Sequence, residues 1–120
     1  MTGRLLALAA LALSAAALAG PSAAATPTLN GSVSGNSAFV IKLTLGGKPV
    51  KSLKAGKYIV LVKDPATIHN FRLKGPGVNK ATSVAGKSTA RWVVTLRKGR
   101  YTYQCDPHAA TGMKGTFVVK

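Results

Sequence analysis

The chain has 120 residues, of which 47% are hydrophobic and 16% charged, and 17 Lys+Arg against 2 Asp+Glu give a net charge of +15. That length is one domain. Two acids, two histidines and one cysteine leave little for acid–base catalysis, and no nucleic-acid motif or aromatic stacking platform accompanies the positive charge.

The first 25 residues read as a secretory signal peptide. A single early cation, Arg4, precedes an apolar and small-residue run from Leu5 to Gly20, and Ala23-Ala24-Ala25 fits a small-x-small cleavage site. A membrane anchor is the rival, but the run is short of the roughly 20 residues that span a bilayer. No cysteine lies near the cleavage point, which excludes lipid attachment there. Cleavage after Ala25, or a few residues earlier, leaves a domain at 26–120 that is periplasmic or extracellular and has no membrane span.

The remainder reads as strands. Thr28 to Ser34 is polar and interrupted by Gly31, as for an edge strand. Phe39, Ile41, Leu43 and Leu45 alternate with Lys42 and Thr44, so they share one face. Gly46-Gly47-Lys48-Pro49 is a turn, followed by Val50 to Leu53 and a second turn at Ala55-Gly56. Tyr58 to Lys63 is apolar on both parities, which predicts a strand buried on both sides. Asp64-Pro65 stops it, and Ile68 to Leu73 restarts a strand before Gly75-Pro76-Gly77. A weaker segment spans Val78 to Val84. Thr89 to Leu96 then turns Ala90, Trp92, Val94 and Leu96 inward, Lys98-Gly99 is a hairpin turn, and Tyr101, Tyr103 and Cys105 share a face. Phe117 to Val119 closes the chain. Short strands with frequent turns and no helix predict an all-β, antiparallel Greek-key sandwich.

The chemistry is concentrated between Tyr101 and Gly115. Cys105, His108 and Met113 place a thiolate, an imidazole and a thioether within nine residues, and His69 lies upstream in Ile68-His69-Asn70-Phe71. A His₂Cys set with a weak axial Met is the ligand set of a blue-copper electron-transfer centre. Each residue has a plainer reading: a buried inert thiol, a surface histidine beside Pro107, a core-filling Met. A lone cysteine in an exported chain cannot form an internal disulfide, and one bound copper ion, cycling between Cu(I) and Cu(II), would occupy the thiol and stabilise the fold. Gly112 and Gly115 suit a tight loop around Met113, and Pro107 restricts the backbone between Cys105 and His108.

Cys105-x₂-His108-x₄-Met113, together with His69-Asn70, resembles the type 1 copper motif of the plastocyanin- and pseudoazurin-like cupredoxins. The resemblance extends to Lys54-Ala55-Gly56-Lys57-Tyr58 and Gly115-Thr116-Phe117-Val118-Val119. It implies that His69, Cys105, His108 and Met113 are the metal ligands. It also implies that Asn70 bonds across to the backbone just after the cysteine. Asp106 departs from the family's usual Ser or Thr. Its charge beside the metal would favour Cu(II) and lower the potential, unless exposure screens it.

A filled ligand set leaves no open position for substrate, so the expected function is one-electron transfer without enzyme activity. The alternative with the same ligands is a copper carrier or buffer that delivers or sequesters the metal. Loss of Arg4 with the leader leaves +14, with lysines along the whole chain. That charge suits a soluble monomer whose partners are anionic: an acidic redox protein such as a cytochrome or oxidase domain, or anionic cell-envelope polymers.

Overall fold

The computed structural model describes Gly3 and residues 25–120. The leader assigned to residues 1–25 therefore lies almost wholly outside the described residues. Ten strands follow in order: β1 (Thr28–Val33), β2 (Ile41–Leu45), β3 (Lys48–Pro49), β4 (Ser52–Leu53), β5 (Gly56–Asp64), β6 (Arg72–Gly75), β7 (Val78–Ala81), β8 (Ser88–Leu96), β9 (Gly99–Gln104) and β10 (Lys114–Val119). They form two five-stranded sheets, ordered β3-β2-β1-β5-β8 and β4-β10-β9-β6-β7.

The β-sandwich is as expected, but both sheets are mixed. Most neighbours are antiparallel, whereas β1 pairs parallel with β5 (Leu29 opposite Val60) and β10 parallel with β4 (Val119 opposite Leu53). The parallel pairing puts β1 inside its sheet and not at its edge. Its polar residues alternate outward, while Leu29, Gly31 and Val33 are buried. Gly31 is needed because a side chain there would strike the Phe71 ring, whose Cζ lies 2.8 Å from the position a Cβ would take.

The core lies between the sheets and includes Leu29, Leu43, Val60, Val62, Phe71, Leu73, Leu96, Tyr101 and Phe117. Burying a large apolar side chain contributes about 1.5–3 kcal/mol, so alternation on every long strand is the main stabilising pattern. β5 obeys it. Tyr58, Val60 and Val62 are buried while Leu61 remains 39% exposed, so this strand is covered on one side and not on two. Among the described residues its outer face stays partly open to solvent, which the apolar composition alone could not reveal. On β8, Val94 and Leu96 are buried, and Ala90 and Trp92 pack against the core, as the alternation predicts.

Tyr101 fixes the turn between β8 and β9. Its hydroxyl accepts from Arg97 N at 2.9 Å and faces the Arg97 and Pro76 carbonyls at 2.9 and 3.0 Å, while its ring stacks on Phe117. The expected strand at Ile68 to Leu73 starts only at Arg72. His69, Asn70 and Phe71 precede it as buried, non-strand backbone. A short 3₁₀ helix at Asp106–Thr111, also unanticipated, joins β9 to β10.

Candidate metal centre

The loop from Cys105 to Met113 is closed by its own backbone. Cys105 N donates to Met113 O at 3.0 Å, Met113 N to His108 O at 3.1 Å, and His108 N to Cys105 O at 3.1 Å. Pro107 begins the 3₁₀ turn, where its missing N–H costs nothing. Gly112 ends it with φ of 104°, a left-handed conformation that favours glycine. Met113 is thereby turned back beside Cys105, and its side chain is buried.

His69 reaches this loop from the other side. Its side chain is fully buried, and Nε2 lies 2.7 Å from the Ala38 carbonyl. A carbonyl oxygen can only accept, so Nε2 carries the proton and Nδ1 presents a lone pair. That Nδ1 lies 3.1 Å from His108 Nδ1 and 3.7 Å from Cys105 Sγ, and the thiol lies 3.4 Å from His108 Nδ1. The three donor atoms all fall within 4.8 Å of one another. Donors at about 2.0–2.3 Å from a small metal in a trigonal plane would lie roughly 3.5–3.8 Å apart. The triangle matches that spacing to within a few tenths of an ångström, and its soft sulfur and two imidazoles suit copper.

Around the triad runs a second layer of contacts. Asn70 Oδ1 accepts from Asp106 N at 2.7 Å, and Asn70 Nδ2 donates to the Asp106 carboxylate at 2.8 Å. The segment holding His69 is thus tied to the residue after Cys105. Arg72 grips the same carboxylate through Nε and Nη2, at 2.8–3.0 Å, and Gln104 Nε2 adds a bond of 3.0 Å. The Arg72 hydrogen bonds hold the Asp106 carboxyl well below the usual carboxylate range, against the opposing effect of burial and with help from Gln104 and Asn70. Asp106 is therefore an anion with a cation in contact. Compensation comes from Arg72, and exposure of the carboxylate is not required to reduce its influence on the site.

A deeper brace supports Phe71. Its N–H donates to Thr82 Oγ1 at 2.8 Å, and that hydroxyl donates to the buried Asp64 carboxylate at 2.9 Å. Both acids of the chain are consequently structural.

Ala38, Phe39, Arg72, Thr82 and Gln104 escaped the sequence reading. The alternation puts Phe39 on one face with Ile41, Leu43 and Leu45. Phe39 stands 58% exposed, with its ring edge-on to His69 and His108 at centroid separations of 5.3 and 4.8 Å. His108 is partly exposed, beside the exposed Pro107 and Ala110.

A two-sheet sandwich with a His–Cys–His triad at one end, two of its members buried and two on a loop that closes at a methionine, defines a copper-binding cupredoxin. A model of the family described as copper binding proteins, plastocyanin/azurin family, matches residues 47–120, which include all three triad residues. The fold is similar to reduced auracyanin from the photosynthetic bacterium Roseiflexus castenholzii, with 20% identity and a TM-score of 0.56 over 80% of this chain and 98% of that one. It is also similar to rusticyanin from Thiobacillus ferrooxidans, with 22% identity and a TM-score of 0.54 over 79% of this chain and 77% of that one. No curated protein matches the sequence. The chain belongs to the plastocyanin/azurin family of copper-binding proteins, and its triad fits one type 1 copper ion.

Proposed function

We propose that the protein is a one-electron carrier acting outside the cytoplasm, without enzyme activity of its own. The observation that carries this reading is the triad held at one end by a braced scaffold, with His108 alone of the three reaching the surface. In this reading His69, Cys105, His108 and Met113 would hold the copper ion, with the Met113 thioether as the weakest donor, while Asn70, Asp106 and Pro107 would orient them. Copper supplies the one-electron couple, and the protein's part is to keep the donor positions the same in both oxidation states. Loop closure at Met113 and the Ala38 bond to His69 limit movement of the ligands, which lowers the reorganisation that electron transfer requires. Four protein ligands leave no open position for substrate, which supports the absence of catalysis.

The electron path favoured by this arrangement leaves through the His108 edge. Phe39, Pro107, Ala109 and Ala110 form an apolar collar there, on a strongly basic chain. An acidic redox protein fits that combination: charge steers the encounter over about 8 Å at physiological ionic strength, and the flat collar permits close approach.

The rival function, copper delivery or buffering, would use the same residues. Mixing the Cu(I) protein with its Cu(II) form, and separately with an apo-acceptor, distinguishes the two. Electron self-exchange on a catalytically useful timescale, with metal retained on the original protein, is expected. Net copper transfer with self-exchange too slow to detect would promote the rival.

A further inference from the structure

Asp64 is buried against Thr82 and Ala66 N, and Asp106 is paired with Arg72, so neither acid offsets the exposed cations. The end of the sandwich opposite the metal centre gathers many of those cations. Lys120 N donates to Leu53 O and Ala55 N to Lys120 O, which places Lys54 beside the C-terminal residue. Val118 N donates to Lys51 O, and Val118 faces Arg100 across the β10–β9 ladder. Arg97 and Lys98 form the adjoining β8–β9 turn, and all six side chains are exposed.

We propose that this cationic end docks on an anionic phospholipid bilayer, with the copper end directed away from it. One further observation favours a bilayer over an acidic protein. The cations sit on several separate turns and strand ends, with no exposed aromatic residue among them: the one large exposed aromatic, Phe39, is at the copper end. Protein interfaces concentrate their affinity in a few buried aromatic or Arg anchors, whereas a continuous anionic surface rewards spread charge. The six-residue strands β9 and β10 separate the two ends by about 20 Å at 3.3 Å per residue. The His108 collar would therefore remain open to a soluble partner. This docking deepens the carrier reading by orienting the molecule, but it requires no metal, so the two can fail separately.

The test is sedimentation of the mature chain, residues 26–120, with and without copper, on phosphatidylcholine vesicles that contain or lack phosphatidylglycerol. Two triple variants make the same change in net charge: Lys51→Glu/Lys54→Glu/Arg100→Glu at the far end, and Lys63→Glu/Lys87→Glu/Lys114→Glu at the copper end. Circular dichroism checks that each retains its fold. The expected result is binding that needs phosphatidylglycerol and weakens with salt. The far-end triple should lower it by roughly a hundredfold or more, and the copper-end triple much less. Equal losses in both triples, or equal binding to vesicles lacking phosphatidylglycerol, would overturn the proposal. Tighter binding to soluble polyglutamate than to the vesicles, lost in the far-end triple, would overturn it in favour of an acidic protein.

Discussion

Replacing Asp106 should cost more stability than replacing Arg72, although the two form one ion pair. Arg72→Gln removes a two-pronged contact whose side chains are 30% and 32% exposed, and solvent screening limits that loss to about 1 kcal/mol. Asp106→Ala removes the same contact together with the bonds from Gln104 and Asn70. Asn70 is 2% exposed, and its Nδ2 would keep only a 3.4 Å approach to Thr82 O. An under-satisfied buried donor costs about 1–3 kcal/mol, so the Asp106 variant should lose about 2–4 kcal/mol in all. Denaturant unfolding of the metal-free protein measures both. The acid limb gives a further check. The folded carboxyl lies below its ordinary value of 3.8, so its stabilisation is complete above that pH and is lost as the pH falls below it. Asp106→Asn should flatten this part of the stability profile. Equal losses in Arg72→Gln and Asp106→Ala, with an unchanged acid limb in Asp106→Asn, would refute the four-residue clamp.

Other outcomes follow from the same geometry. Met113→Leu should keep a blue site with a raised potential, and Met113→Gln should lower it because an oxygen donor favours Cu(II); voltammetry with no shift in either would place Met113 outside the coordination sphere. Ala109→Asp and Ala110→Asp should slow electron exchange with an acidic partner while leaving the visible spectrum unchanged, as stopped-flow mixing would detect. Thr82→Ala should cost about 1–3 kcal/mol in thermal or chemical unfolding, because Phe71 N and Asp64 each lose a buried partner.

The candidate metal ligands stand out in the sequence because their chemistry is rare and their spacing is local. Cys105, His108 and Met113 lie on one loop, and the resemblance to cupredoxins singles out His69 through the neighbouring Asn70. Residues that serve the site through tertiary contact carry no such mark. Ala38 contributes only a carbonyl oxygen, which every residue possesses. Phe39 continues an alternating apolar pattern, yet it falls before β2 begins, and the loop there releases it to the surface above the imidazoles. Arg72 reads as an ordinary strand cation until Asp106 is seen opposite it. In the fold, alternation located most strands, but strand order depends on long-range pairing. The parallel contact of β1 with β5 therefore could not be read from Thr28 to Val33 alone. The exposed outer face of β5 was likewise hidden, because Ile59 and Leu61 are as apolar as the residues they alternate with.

The central claim is that Cys105, His69 and His108 close on one copper ion as a type 1 site. Titrating the metal-free protein with Cu(II), while recording the visible and electron paramagnetic resonance spectra, tests it most directly. One equivalent should produce an intense sulfur-to-copper charge-transfer band and a small copper hyperfine splitting. Cys105→Ser should abolish the band while preserving the all-β circular dichroism. A colourless one-to-one complex of the unaltered chain would contradict the assignment.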